Sequence, residues 1–284
     1  MALIHRSIHR SALAGTLGLI LLAGTSPSTV VADDVPVEVT TGPKPATLRA
    51  QLRTPAGAPP FPALVFLHGC AGLGRRQEAW ADELAREGYV VLVLDSFGPR
   101  GLTRVCGTRA TFPGHDRAED AFAAVRVLQR RPEVDRTRIG LIGWSHGGWT
   151  TLWTLAAQRE HPGERVRAAI AFYPVCSDSR GWTDAPPLLM LLGGSDDWTP
   201  AERCTRLADL ARGFGQRVET IVYPGAHHAF DDAGLRRPTR VRDALGSKGA
   251  TIAYDADAHA DARKQVRAFL ARELKGTAHA PTGR

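Results

Sequence analysis

The chemistry-bearing pattern of this chain is Gly143-Trp144-Ser145-His146-Gly147, a G-x-S-x-G between an apolar run and a helical one. A serine hydroxyl becomes a nucleophile when a sharp turn lifts it above a sheet and a base takes its proton. The flanking glycines let neighbouring backbone pass without Cβ clashes. The helix that follows turns its positive end toward the oxygen on which an oxyanion would develop.

The base and its orienting acid should come after later strands, in the order Ser, Asp or Glu, His. Two loops meet that order. Leu188–Leu192 runs into Gly193-Gly194-Ser195-Asp196-Asp197-Trp198-Thr199-Pro200, and Val218–Tyr223 into Pro224-Gly225-Ala226-His227-His228-Ala229-Phe230. The residues alone leave Asp196 and Asp197 open as the acid, and His227 and His228 as the base; Asp178 is a weaker rival acid. A metal held by His227, His228 and Asp231 lacks further ligands at a suitable spacing, so no metal is expected. Of two oxyanion donors, one is the amide after the nucleophile, His146. The other is expected from His68-Gly69-Cys70-Ala71-Gly72, at Cys70.

These residues need a scaffold, and the 284-residue chain supplies an alternation of short apolar runs and amphipathic segments. Strands are predicted at Ala63–Leu67, Tyr89–Leu94, Arg138–Ile142, Ala168–Phe172, Leu188–Leu192 and Val218–Tyr223. Helices are predicted at Gln77–Glu87, Asp116–Arg131, Trp149–Arg159, Thr205–Phe214 and Ala258–Leu274. Residues 33–46 read as an extended lead-in and Glu273–Arg284 as a frayed tail. Strands separated by helices argue an α/β fold, a mostly parallel sheet covered on both faces. No repeat or Ser/Gly-rich linker divides it, so one domain is expected over 33–272.

Ser11–Gly24 is an apolar run of signal-peptide length behind Arg6 and Arg10, and Val30-Val31-Ala32 offers small residues for cleavage near Ala32. A signal peptide over 1–32 implies a periplasmic or secreted protein with no lasting membrane anchor. Its removal takes two Arg and no acid, so the formal charge falls from +7 to +5. The basic residues are Arg but for Lys44, Lys248, Lys264 and Lys275, and they are scattered rather than striped, which argues against a nucleic-acid partner. Four Cys are too few for a disulfide-built scaffold.

Six segments, HGCAGLG (His68–Gly74), DSFGPRG (Asp95–Gly101), GWSHGG (Gly143–Gly148), GGSDDWTP (Gly193–Pro200), YPGAHHAFD (Tyr223–Asp231) and YDADAHADARKQVRAFL (Tyr254–Leu270), resemble the dienelactone hydrolase family of α/β-hydrolases. The resemblance extends over roughly residues 45 to 272. It implies an α/β-hydrolase fold and a hydrolase of small-molecule carboxylic esters or lactones that uses no cofactor. The family pattern carries the nucleophile onto Ser145, the acid onto Asp196 and the base onto His228. The founding members carry Cys as nucleophile and a glutamate near the oxyanion loop, where this chain has Ser145 and His68; dienelactone itself is therefore a doubtful substrate.

Arg100, in the DSFGPRG segment, is near where the family places an arginine for a substrate carboxylate, a role its guanidinium fork suits. Trp144, Phe97, Tyr173 and Trp198 are candidates to line the acyl or alcohol pocket. Cys176 and Cys204 follow neighbouring strands and are the first choice for a disulfide, with Cys70–Cys106 as its complement. A non-catalytic binding protein on the same fold, and an acyltransferase or peptidase using the same three residues, are the other functions these residues admit.

Overall fold

A computed structural model describes residues 30–107, 112–177, 184–244 and 249–276. Most of the expected signal peptide, the rival acid Asp178 and the tail beyond Gly276 lie outside the described residues. Its framework is an eight-stranded sheet in the order β1-β2-β4-β3-β5-β6-β7-β8. The strands are β1 (Val31–Val39), β2 (Ala46–Thr54), β3 (Phe61–Leu67), β4 (Val90–Asp95), β5 (Val134–Trp144), β6 (Ala168–Phe172), β7 (Leu188–Gly193) and β8 (Val218–Tyr223). From β4 to β8 in the sheet every pairing is parallel, and β1 and β2 join antiparallel at one edge.

Side chains alternate across a pleated strand, so the sheet carries two cores. On one face Ala63, Val65 and Leu67 of β3 belong to a core that extends from α2 (Ala118–Gln129) and α3 (His146–Ala156) to α4 (Ala201–Gly213) over β7 and β8. On the other, Leu64 and Phe66 meet α1 (Arg75–Arg86) and α5 (Ala256–Leu270) through Trp80, Leu84, Val266 and Phe269. Both faces of the central strands are therefore buried, which is why β3, β4 and β7 read as continuous apolar runs rather than alternating ones.

Two expectations need correction. Residues 33–46 are no simple lead-in: β1 pairs with β2 from Val31↔Thr54 to Val39↔Ala46. Only its second half reaches the core, through Val37 and Val39, so no long apolar run announced it. Cleavage after Ala32 would trim β1 by two residues and leave Asp33–Val39 paired. The expected tail begins too early: a π-type turn over Ala271–Lys275 continues α5, Leu274 is fully buried, and Glu273 pairs with Arg217 and Arg272. A small second sheet joins β9 (Thr239–Val241) to β10 (Ala250–Ile252) beside the loop after β7.

Candidate active site

Ser145 stands between β5 and α3 with φ 53° and ψ −109°, in the left-handed half of backbone space that a residue with a Cβ avoids. The surroundings over-determine that turn. Its N–H donates to Phe172 O at 2.9 Å, and its carbonyl accepts from Trp149 N at 2.8 Å. Both glycines of the motif are sterically required. A Cβ on Gly143 would meet Gly147 O at 2.2 Å, and one on Gly147 would lie 1.9 Å from Leu67 O.

The loop after β8 brings His228 to this serine, with Nε2 2.9 Å from Ser145 Oγ. Nδ1 of the same ring lies 2.8 Å from Asp196 Oδ2. Asp196 is buried, and its Oδ1 accepts the amides of Trp198 and Thr199, both at 2.8 Å. Burial works to raise this carboxyl, but His228 and those amides outweigh it and hold the group below the ordinary carboxylate range. Asp196 thereby stays an acceptor for the imidazole N–H.

The alternatives left open by the residues are separated in space. Asp197 points the other way, accepting from Arg240 Nη1 at 2.8 Å and from the Thr251 amide at 2.7 Å, which ties its loop to the small sheet. His227 does not contact Ser145, and its Nδ1 is buried without a hydrogen-bond partner. Thr199 is a site residue that sequence reasoning missed. Its Oγ1 lies 2.9 Å from Asp196 Oδ2 and 3.1 Å from His228 Nδ1. Its place three residues after Asp196, just before Pro200, was the available signal.

Beside Ser145 is a notch of about 30 Å³ bordered by Cys70, Cys106, His146, Trp149, Val175 and Trp198, room for about one water-sized group. No protein acceptor takes the amide hydrogen of Cys70 or His146 among the described residues. Cys70 is disulfide-bonded to Cys106, and Cys176 to Cys204, so both bridges brace loops around this notch. A groove of about 570 Å³ lies elsewhere, lined by Arg136, Arg167, Pro187 and Arg217 at the opposite ends of the strands. It is larger, but it contains no nucleophile and base in contact.

Trp198 borders the notch and packs 4.9 Å from the His228 ring, centroid to centroid. Four other proposed pocket residues do not line it. Arg100 donates from Nη1 and Nη2 to Asp120 at 2.9 and 2.8 Å and spends its other hydrogens on Lys44 O and Ser96 O, leaving no fork for a substrate. Trp144 is fully buried, stacked on Phe172, with its indole N–H on Asp231. Tyr173 touches the His228 ring but is itself fully buried, its hydroxyl 2.5 Å from Asp231. Phe97 is likewise core, packed edge-on to His68 and His146. Alternation along a buried parallel strand has no polar face to mark which aromatics point to solvent, so the sequence held no signal against them.

Two further buried polar groups surround the site unannounced. Asp231 collects the indole N–H groups of Trp80 and Trp144 as well as the Tyr173 hydroxyl. Arg117, fully buried beneath the loop after β3, donates to Ser96 Oγ at 2.9 Å, His68 O at 2.7 Å and His146 Nδ1 at 3.2 Å. Burial lowers its guanidinium to about 10, still charged near neutral pH. Burial, then Arg117, also drive His146 down to about 3, so its ring is neutral and donates from Nε2 to Phe112 O at 2.8 Å.

Comparison with known proteins agrees with this architecture. The model of the dienelactone hydrolase family matches residues 48–274. A Methylorubrum extorquens protein named "Putative carboxymethylenebutenolidase" is 27% identical over 62% of this chain, which spans 65% of that protein's length. A Bradyrhizobium protein named "Probable 2-oxo-3-(5-oxofuran-2-ylidene)propanoate lactonase" is 23% identical over 64% of this chain and 79% of its own. Among solved structures, a dienelactone hydrolase-like promiscuous phosphotriesterase from metagenomic libraries superposes with a TM-score of 0.66 at 20% identity, covering 86% of this chain and 99% of that one. The sheet order, the strand–turn–helix around Ser145 and a family match across most of the chain place this protein in the dienelactone hydrolase family of α/β-hydrolases.

Proposed function

We propose that this protein is an exported serine hydrolase of carboxylic esters or lactones, acting through Ser145, His228 and Asp196. The observation that carries the reading is the unbroken chain Ser145 Oγ to His228 Nε2 at 2.9 Å and His228 Nδ1 to Asp196 Oδ2 at 2.8 Å. Both contacts fall within hydrogen-bond reach of a nucleophile, its base and its orienter.

In the first half-reaction His228 takes the Ser145 proton as Oγ attacks the carbonyl carbon. The amides of Cys70 and His146 receive the oxyanion. As the tetrahedral species collapses the acyl–oxygen bond to the alcohol breaks, and His228 gives its proton to the departing alkoxide. Water then repeats the sequence at the acyl-enzyme and releases the acid. Asp196 holds the imidazole with Nδ1 protonated and stabilises the charge it acquires. For a lactone the alcohol and the acid leave as one molecule.

The family's relatives named as a carboxymethylenebutenolidase and a lactonase support the ester or lactone class. Export rests on the apolar segment before Ala32, removed by cleavage near that residue, and is supported by two disulfides of a kind that persists in oxidising compartments. The domain proper runs from about residue 33 to the buried Leu274. Labelling of the folded protein by a fluorophosphonate at Ser145, together with turnover of p-nitrophenyl acetate, is the expected result. A folded protein that does neither is not a serine hydrolase.

A further inference from the structure

Arg117 is a fully buried cation that forms no ion pair with a carboxylate among the described residues. Asp120 and Asp95 act on its charge from beyond salt-bridge distance, and both oxygens of Asp120 are taken by Arg100. Burying an unpaired charge is costly, and a chain ordinarily replaces such a residue with an apolar one unless the charge has a use. One of its guanidinium nitrogens, Nη2, is buried with no hydrogen-bond partner at all.

Its three bonds say where the charge is spent. Nη1 donates to the carbonyl of His68, two residues before Cys70, and reaches Nδ1 of His146. Nε donates to Ser96 Oγ, just beyond β4. A single guanidinium nitrogen therefore links the loop after β3 to the first residue of α3. Those are the two segments whose free amides, Cys70 and His146, border the notch at Ser145. The same contact makes Nδ1 of His146 an acceptor, so the ring's proton sits on Nε2 and bonds Phe112 O. The ring is thus fixed at both ends.

We propose that Arg117 is the positioning residue of the oxyanion hole: it sets the spacing of the Cys70 and His146 amides and adds its positive charge behind them. The inference rests on the serine-hydrolase reading and deepens it. A positive charge behind preorganised donors favours the tetrahedral anion over the neutral ester, so its loss falls on kcat and leaves substrate binding nearly untouched.

The test uses the full mature chain, p-nitrophenyl acetate as substrate and an arylboronic acid as mimic of the tetrahedral anion. Arg117→Met is expected to lower kcat by about 30-fold or more, with KM within about threefold of wild type. Boronate inhibition should weaken in proportion to the loss of kcat/KM, which mere loosening of the fold would not produce. Arg117→Lys keeps the charge but cannot span Ser96, His68 and His146 together, and should fall between the two. If Arg117→Met does not fold, Arg117→Lys and Ser96→Ala carry the test, each expected to weaken kcat and boronate affinity in parallel. Folded variants that keep wild-type kcat and boronate affinity overturn the inference. A wild type that neither turns over the ester nor takes up fluorophosphonate overturns the hydrolase reading with it, so the two failures are distinguishable.

Discussion

Trp144, the residue just before the proposed nucleophile, donates its indole N–H to Asp231 at 2.8 Å, tying the end of β5 to the loop that carries His228. Asp231 is three residues beyond that histidine and also receives Trp80 at 3.1 Å and the Tyr173 hydroxyl. One buried carboxylate thus gathers three segments on the core side of the site. Truncation by Asp231→Ala leaves three buried donors unpaired, at a cost of about 3–5 kcal/mol. Asp231→Asn, which keeps one acceptor oxygen, should lose less. Urea unfolding of both variants checks the order; a smaller loss for Ala than for Asn would contradict it.

Within the proposed triad, Asp196→Asn is expected to lower kcat by about 10³–10⁴, because an amide cannot hold the productive imidazole tautomer. Asp197→Asn should change kcat by less than about threefold, since Asp197 bonds Arg240 and Thr251 rather than His228. Ser145→Ala should abolish ester turnover. Steady-state kinetics on the three variants decides between the two aspartates.

Arg100→Ala should act on stability and not on substrate choice. It leaves Asp120 buried without its partner, a loss of about 3–5 kcal/mol. Esters with and without a free carboxylate should respond alike. A selective loss on carboxylate-bearing esters would return Arg100 to the binding site.

Stability should fall as pH drops from about 6.5 toward 3, in part because of His146. Its folded value of about 3 lies below the ordinary 6.5, so in that window the unfolded chain binds a proton the native ring refuses. Each such group contributes a slope of about 1.4 kcal/mol per pH unit. His68, lowered by burial and then by Arg117, acts in the same direction. Asp196, held low, contributes stability above the carboxylate range that is lost as pH falls through its lowered value. His146→Gln should flatten the slope of unfolding free energy against pH by about one proton. An unchanged slope would mean His146 is not buried neutral.

Opening Cys70–Cys106 should cost both stability and rate. The bridge closes a loop of sequence separation 36, for which chain entropy gives about 4 kcal/mol. It also anchors the proposed oxyanion amide of Cys70. Reduction, or the Cys70→Ser, Cys106→Ser pair, should lower kcat beyond any loss of folded protein. The Cys176–Cys204 pair reduced alone should lower kcat less, because neither cysteine offers an amide to the notch. Activity per folded molecule, compared across the two variants, measures this.

What the sequence determined by itself was whatever depends on local pattern. The parallel strands are apolar runs because both their faces are covered, and the turn at Ser145 requires glycine at 143 and 147 wherever the rest of the chain goes. The strand β1 escaped because only its end residues reach the core. Tertiary structure decided the rest, because neighbours in sequence can face opposite ways. Asp196 turns inward to His228 while Asp197 turns outward to Arg240. Arg100 finds Asp120 twenty residues on and Arg117 finds His68 forty-nine back, contacts that loop closure brings about and no spacing announces. Residue types and order named the chemistry available; long-range packing chose which side chains are in reach of Ser145.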